Sequence, residues 1–502
     1  MNQRHTSSAV VTLRSVSKGF GGKTILDAVD LELHAGQITV VVGPSGGGKS
    51  VLLDLILGLL EPDAGSVRVS GRVGMVFQDG ALFDDLTVGD NLAFPARRMA
   101  PEARNQLVNE AAEAVGLAPG HLAARPSQLS GGLRKRAAIA RALVQGPPIL
   151  LYDEPTAGLD AASGAKIGHA ILAARAARAE QSALVVTHDY ALVAQIADEV
   201  LYLDPEAHRL VPLFTAEALA ELGEQTDPTR VRAVRDGLEA HFAAADPPPS
   251  EPGTAKPPLF GRFLGQLRQG VTGWGVLRGL RLPPLAAVMR RFWELGLTSI
   301  PAVAVSGLVL GLVSALQIGQ ALDGTLGDMD PLPALLGVVL CHHVGPLYTG
   351  LFLAGRVGAR VASEVGVKTY LRQGDALDTF GVTPEAHWLS PMALAALLAF
   401  PLLAIILEAF GVLGGFLTYV GFYAQNTAGF EHTVLADVRW GPFALGLARA
   451  AVCGLVVVTL AFNAGRGARR GSDAVGRGTT RAVVSGLLGI ILVELIFGLL
   501  SV

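Results

Sequence analysis

The sequence predicts a chain in two parts. An α/β domain built on a phosphate-binding loop comes first, followed by an all-α membrane domain with interfacial helices and about five transmembrane helices. Three observations carry this. The run Gly43-Pro44-Ser45-Gly46-Gly47-Gly48-Lys49-Ser50 fits the pattern G-x-x-x-x-G-K-[ST], between an apolar, β-rich run (Gln37 to Val42) and a helical run opening at Val51. A proline-rich stretch from Asp246 to Pro258 separates halves of different composition. Beyond it lie five apolar stretches, each long enough to cross a hydrocarbon core of about 30 Å at about 1.5 Å per residue.

The glycine loop has a specific chemistry. Glycines let backbone N–H groups converge on phosphate oxygens, and the helix that follows adds its positive dipole end. Lys49 would reach the β- and γ-phosphates, and the Ser50 hydroxyl would ligate Mg²⁺. A phosphate-bearing ligand and Mg²⁺ are therefore expected.

Composition bounds the rest. At 502 residues the chain exceeds one ordinary core. Half the residues are hydrophobic, only 17% are charged, and mean hydropathy is +0.44, high for a soluble protein. The formal net charge of −3 gives no basic footprint, so no nucleic-acid partner is expected. Both cysteines, Cys341 and Cys453, lie in apolar stretches and imply no disulfide framework. The polar start Met1-Asn2-Gln3-Arg4 has no apolar signal-peptide core, so the first domain is expected in the cytoplasm.

Residues 1–243 read as the α/β domain. Ala9 to Leu13 and Leu31 to Leu33 are expected as short strands, and Val67 to Phe77 as strand, turn and strand ending at Gln78. Helices are expected over Ala100 to Val115 and Gly131 to Leu143. Two buried strand runs, Ile149 to Tyr152 and Ala183 to Val186, end in Asp153-Glu154 and Thr187-His188-Asp189. The charged segment Pro212 to Ala245 is expected to be helical, with Thr226 or Asp227 as a cap.

This order of motifs resembles the ATP-binding-cassette (ABC) ATPases over nearly the whole first half. Leu129-Ser130-Gly131-Gly132-Leu133 is similar to their signature sequence. The resemblance implies roles: Asp153 organises Mg²⁺ with Ser50 and Gln78, Glu154 polarises the attacking water, and His188 is the switch histidine. Asp160 lies in the D-loop, Gln78 is the Q-loop glutamine, and Phe20 stacks on adenine. It also implies that Ser130, Gly131 and Gly132 serve ATP held by a second copy, so two chains face head to tail. Physical chemistry agrees with the roles. A paired Asp-Glu at a strand end can divide metal holding from water orientation, and a helix N-terminus presents donors to an anion. Taken singly, His188 and Phe20 fit core residues as well; the order of seven elements is what discriminates. Leu133 and Gly47 depart from common choices (Gln; Ser or Cys), at positions that supply no indispensable group.

Residues 244–258 form the expected linker and 259–502 the membrane domain. Residues 259–298 mix apolar side chains with Arg262, Arg268, Arg278, Arg281, Arg290 and Arg291, which suits helices in the membrane interface. The spans fall at about 300–322, 332–357, 391–420, 442–464 and 482–502. Two loops are basic, one with Arg356, Arg360, Lys368 and Arg372, the other with Arg466, Arg469, Arg470, Arg477 and Arg481. The loop Asp323 to Asp330 is acidic. Both basic loops fall inside if the α/β domain is inside.

This half resembles the Mla-type (maintenance of lipid asymmetry) permeases, relatives of the Mce-linked lipid transporters. The match runs through Val344-Gly345-Pro346-Leu347-Tyr348-Thr349-Gly350, Ala354-Gly355-Arg356-Val357-Gly358 and Ala362-Ser363-Glu364-Val365-Gly366. It continues through Asp375-Ala376-Leu377-Asp378-Thr379-Phe380-Gly381 to Gly411-Val412-Leu413-Gly414-Gly415. The resemblance implies a coupling segment carrying Glu364, Asp375 and Gly381. It implies an ATP-driven transporter of phospholipid or a related lipid at the bacterial inner membrane, fused and working as a homodimer. It also implies an MCE-domain periplasmic lipid-binding partner and a STAS-domain accessory protein. Family members usually carry Arg-Glu before Leu-Gly-Pro; here His342-His343 precede Val344-Gly345-Pro346. Together with Glu408 these are the candidate lipid-cavity residues, the alternative being histidines satisfied by neighbouring helices. Glu494 is a second intramembrane acid. Two other functions stay open, transport of another hydrophobic compound and a signalling or mechanotransmitting ATPase without net transport.

Overall fold

The computed structural model describes residues 9–243 and 283–500, apart from 177, 179, 224, 226–227, 326–328, 428–429, 431–432, 435–437 and 468–471. The expected linker, the Thr226/Asp227 cap, residues 259–282 of the interfacial region, and Arg469 and Arg470 therefore lie outside the described residues. The chain divides into two compact units: Met1–Ala255 with Leu371–Gly381, and Lys256–Tyr370 with Val382–Val502.

In the first unit, β1 (Ala9–Phe20) and β2 (Lys23–His34) form one long antiparallel hairpin, where only short strands were expected. The turn needs positive φ at two successive residues, which Gly21 and Gly22 supply at +59° and +85°. β4 (Ala64–Val69) completes a three-stranded sheet, order β2-β1-β4. The second sheet has the order β5-β6-β7-β3-β8-β9, with β3 at Ile38–Val42, β5 at Val73–Val76, β6 at Ile149–Asp153, β7 at Ser182–Thr187, β8 at Glu199–Leu203 and β9 at Leu210–Phe214. Val67 to Phe77 thus divides between two sheets. β3, β5, β6, β7 and β8 are parallel. β3, β6 and β7 are buried at every residue, which is why they read as unbroken apolar runs. β9 corrects the expectation of helix from Pro212 onward: it pairs antiparallel on β8 at the sheet edge, where a proline's missing donor is tolerated.

Among the described residues up to 243 the α-helices of this unit are, in order, α1 (Lys49–Ile56), α2 (Val88–Ala93), α3 (Pro101–Ala114), α4 (Pro119–Leu122), α5 (Gly131–Gln145), α6 (Ala161–Ala176), α7 (Tyr190–Ile196), α8 (Ala216–Glu221) and α9 (Pro228–Ala243). Alanines and aliphatics of α3, α5 and α6 join those of the parallel strands in one core. The register sets Val42 beside Thr187 and Asp153 beside Val186, so β3, β6 and β7 end together. Ligands of open α/β sheets bind outside those carboxyl ends.

The second unit contains α10 (Leu285–Leu295), α11 (Ile300–Thr325), α12 (Leu332–Val338), α13 (Gly345–Leu353), α14 (Ala359–Tyr370), α16 (Ser390–Gly421), α17 (Trp440–Arg466) and α18 (Ser472–Leu500); α15 (Gln373–Thr379) belongs to the first unit. Among the described residues four helices are long and apolar enough to cross a membrane: Leu285–Gly324, Glu385–Gly421, Trp440–Arg466 and Asp473–Leu499. A fifth span exists if the bent pair Leu332–His342 and Gly345–Tyr370, at 44°, counts as one. The second expected span is therefore broken rather than continuous. The break follows a π-helical turn, Val339–Val344, and Pro346 lies just beyond it. Residues 285–298, expected in the interface, run on into the first span. The 40-residue stretch Leu285–Gly324, α10 and α11 joined through a 3₁₀ turn at Leu297–Ser299, is longer than the roughly 20 residues a span needs.

Glycine packs this unit. A Cβ on Gly307 would strike the Leu407 carbonyl, one on Gly311 the Gly411 carbonyl, and one on Gly414 the Leu308 carbonyl, so α11 and α16 meet backbone to backbone. Val305, Val309, Leu398, Ile491 and Leu495 point outward, as helices solvated by lipid require.

Candidate functional site

The phosphate loop leaves β3 at Gly43 and enters α1 at Lys49. Gly46 and Gly48 hold φ of +81° and +102°; a Cβ on Gly48 would sit 2.9 Å from Ile25 Cγ2, and one on Gly43 3.0 Å from the Leu203 carbonyl oxygen. Glycine is required there by both conformation and space. Ser45, Gly46 and Ser50 are exposed, Gly47 is half-buried, and Pro44 packs beneath the loop. The buried Lys49 ammonium donates to the Gly43 carbonyl at 2.8 Å and the Pro44 carbonyl at 3.1 Å. Val51 continues α1.

Asp153 ends β6 and accepts from Ser50 Oγ at 3.3 Å. Burial pushes its carboxyl up to about 6, while the neighbouring Arg372 and the Ser50 hydrogen bond act the other way. Glu154 follows with φ at +45°, an unfavourable conformation for a non-glycine residue that turns its carboxylate back over the loop. One oxygen is 3.4 Å from Lys49 Nζ and the other 2.7 Å from His188 Nδ1. The structure thus gathers Lys49, Ser50, Asp153, Glu154 and His188. Gln78, just past β5, is exposed, and no hydrogen bond among the described residues places it in the cluster. The Phe20 ring closes the β1 end, 38% exposed, with Lys18 Nζ 5.6 Å from its centroid.

Ser130 caps α5, its Oγ accepting from Leu133 N at 3.4 Å; Ser130 is exposed, and Gly131 and Gly132 open the helix. Asp160 accepts from Ser163 N and Oγ at 2.8 and 2.9 Å, bonds that hold its carboxyl below the usual range. The sequence reading missed Lys135, about one turn into α5. Its buried ammonium donates to the carbonyls of Glu154 (3.1 Å) and Ala157 (2.7 Å), tying the Ser130 helix to the loop that carries Asp160. Burial lowers its pKa, and Asp79, Glu154 and Asp153 oppose that.

These positions suit a triphosphate with a divalent cation. Left-handed glycines open the backbone, Lys49 supplies positive charge, and Ser50 and Asp153 offer adjacent hard oxygens.

Of the coupling candidates, Glu364 pairs with Arg291 (2.7 Å) and Lys368 (2.9 Å) inside the second unit. Asp375 accepts from Arg372 Nε at 2.8 Å, and Gly381 closes its segment at φ +66°. Glu408 is 4% exposed, and neither carboxylate oxygen has a hydrogen-bond partner among the described residues. It abuts Gly345, where a Cβ would lie 2.9 Å from its Oε1. His342 lies three residues before that glycine, half-buried; of His343 only the backbone is described. Glu494 pairs with Arg449 at 3.5 Å, a membrane-embedded arginine the sequence reading passed over inside an apolar run.

Comparison with known proteins agrees with this division. The ABC transporter family matches residues 26–157, and the permease MlaE family residues 288–500. The Fe(3+) ions import ATP-binding protein FbpC 1 of Rhodococcus jostii is 42% identical over 216 residues, 40% of this chain and 60% of that one. FbpC 3 of the same organism is 38% identical over 254 residues, covering 46% and 71%. The probable ribonucleotide transport ATP-binding protein mkl of Mycobacterium leprae is 35% identical over 216 residues, covering 39% and 62%. The chain spans about three-fifths of the length of the first of these relatives. The chain belongs to the ABC transporter family, as an ABC-type ATPase domain fused to an MlaE-type permease domain. An ATPase domain of this kind implies ATP binding, and the permease part makes the chain a multi-pass membrane protein.

Proposed function

We propose that the chain is an ATP-driven transporter of phospholipid or a related lipid, acting as a homodimer in the bacterial inner membrane with its ATPase domain in the cytoplasm. The observation that carries the ATPase part is Glu154, held at the end of β6 between Lys49 and His188, beside Asp153 and Ser50. Lys49 binds the β- and γ-phosphates, and Phe20 stacks on adenine. Glu154 accepts a proton from the attacking water, and His188 fixes the carboxylate by its 2.7 Å contact. Ser50, Asp153 and Gln78 would hold Mg²⁺, which would supply charge neutralisation at the phosphates. Ser130, Gly131 and Gly132 sit exposed or half-exposed at a helix N-terminus, which suits phosphate of ATP on a second copy, with Asp160 at the same face.

The lipid substrate is supported by the match to the MlaE family, which covers the second unit. His342, His343 and Glu408 line the proposed lipid path, and the break before Gly345 gives that path a hinge. Glu364, Asp375 and Gly381 belong to the proposed coupling region. An MCE-domain protein outside the membrane and a STAS-domain protein inside are the proposed partners. The test is mass spectrometry of lipids retained by the purified full-length chain in mild detergent. Stoichiometric phospholipid, reduced in His342→Leu/Glu408→Leu, supports the reading; retention of another hydrophobic compound in its place refutes the substrate class.

A further inference from the structure

The segment Leu371–Gly381 carries a second set of contacts that the proposed chemistry leaves unused. Phe380 packs against Phe94 and Phe83, with ring centroids 5.8 and 6.5 Å away, and lies 5.4 Å from the buried Arg141 guanidinium. The Thr379 carbonyl accepts from Gln145 Nε2 at 3.1 Å, and Gln373 donates to Asp84 at 2.8 Å. These contacts suffice to seat the segment. Arg372 does something different.

Arg372 caps α15 in the left-handed region, at φ +55°, which aims its side chain inward. Only a quarter of the side chain is exposed. Its Nε donates to Asp375 Oδ2 at 2.8 Å, one terminal nitrogen donates to Asp54, and the other lies 3.7 Å from Asp153 Oδ2. The guanidinium stands 4.9 Å over the Phe77 ring. Asp54 belongs to the helix that begins at Lys49, Asp153 ends β6, and Phe77 immediately precedes Gln78. One planar cation therefore touches three elements of the nucleotide site at once. A guanidinium can do this because its donors form a rigid fork; a lysine ammonium is a point charge and cannot span the same set. The segment is covalently continuous at both ends with the second unit.

We propose that Arg372 is a positioning residue for ATP hydrolysis, holding α1 and the Asp153 end of β6 in register with the segment 371–381 so that movement of either passes to the other. The inference rests on the ATPase reading above. Its test is the steady-state ATPase of the full-length protein in phospholipid nanodiscs, with kcat and KM for ATP measured separately. Arg372→Gln should lower kcat about tenfold, a size that single coupling positions reach, with KM changed by less than about twofold. Arg372→Lys should fall between. The charge swap Arg372→Asp with Asp54→Arg restores a cation among the same carboxylates and should recover most of the lost kcat. Wild-type kcat in Arg372→Gln overturns the proposal, as does an effect confined to KM, or a folded swap variant no faster than the slower single variant. Should the swap not fold, as judged by thermal melting, the Gln and Lys variants decide. A wild type that hydrolyses no ATP would refute the ATPase reading instead.

Discussion

The two units spend their polar residues differently. In the first, charge is abundant and buried charge is answered: Lys49 pairs with Glu154, Asp153 accepts from Ser50, and Lys135 donates to backbone carbonyls. In the second, charge is scarce. The Arg449–Glu494 pair stands among aliphatics, as does Glu408, which has no hydrogen-bond partner among the described residues, and packing rests on glycines of α11 and α16. The lesson concerns what each solvent permits. An aqueous domain can assemble a site from many ionised groups. A lipid-facing domain bears each ionised group at a cost of several kcal/mol, so each one retained is a candidate for function.

The largest effect should come from the charge-rich unit. Glu154→Gln removes the proton acceptor while keeping the shape, and should slow hydrolysis on the order of a hundredfold or more, with ATP binding retained. Lys49→Ala should instead weaken binding. Phosphate release and nucleotide fluorescence titration separate the two. Near-normal turnover in Glu154→Gln would break the assignment.

The packing-rich unit offers the matching test. Gly311→Leu forces a side chain into the Gly411 backbone, and overpacking of this kind costs about 1–3 kcal/mol or more. Thermal unfolding should shift the second unit downward while nucleotide binding by the first is unchanged. A shift of both together would mean that the division into separate cores is wrong.

pH should act on the first unit with a definite sign. Burial raises Asp153 from an ordinary 3.8 to about 6, so it becomes ionised only above that value. At limiting Mg²⁺, turnover should fall as pH drops through about 6, because proton and cation compete for this carboxylate. The folded state also binds this proton more tightly than the unfolded chain. Its contribution to the stability of the nucleotide-free protein is thus greatest below about 4 and is lost as pH rises through about 6. Activity constant down to pH 5 would contradict the burial argument.

How far the sequence could be read follows the same contrast. The phosphate loop, the Asp153-Glu154 pair and the Ser130 helix were legible because their chemistry is local: short spacings, glycines and a strand end. Arg372 and Asp54 are 318 positions apart, and nothing in either neighbourhood announces the other. Lys135 was masked by the basic run Arg134-Lys135-Arg136. Apolar length located the membrane helices but not the break before Gly345, since the same residue types fill both arms. Arg449 was hidden by the strength of the apolar signal around it. β9 was misread because a proline in an edge strand looks like a strand breaker.

A smaller effect should come from head-to-tail pairing. Ser130→Arg and Lys49→Ala chains, each inactive alone, should regain partial ATPase activity when co-assembled, because one intact site forms per mixed dimer. Complete silence of the mixture would remove the support for that arrangement. Smaller still is the effect of His342 and His343. His342→Gln with His343→Gln should lower the phospholipid retained by the purified chain, read by mass spectrometry. Unchanged retention in the variant would make the pair structural.

The most direct measurement of the central claim is movement of a labelled phospholipid in proteoliposomes containing the full-length chain, with ATP and with wild type and Glu154→Gln compared. Redistribution that needs ATP and is abolished in Glu154→Gln is the expected result. Full-rate ATP hydrolysis by the wild type with no phospholipid displaced would contradict it.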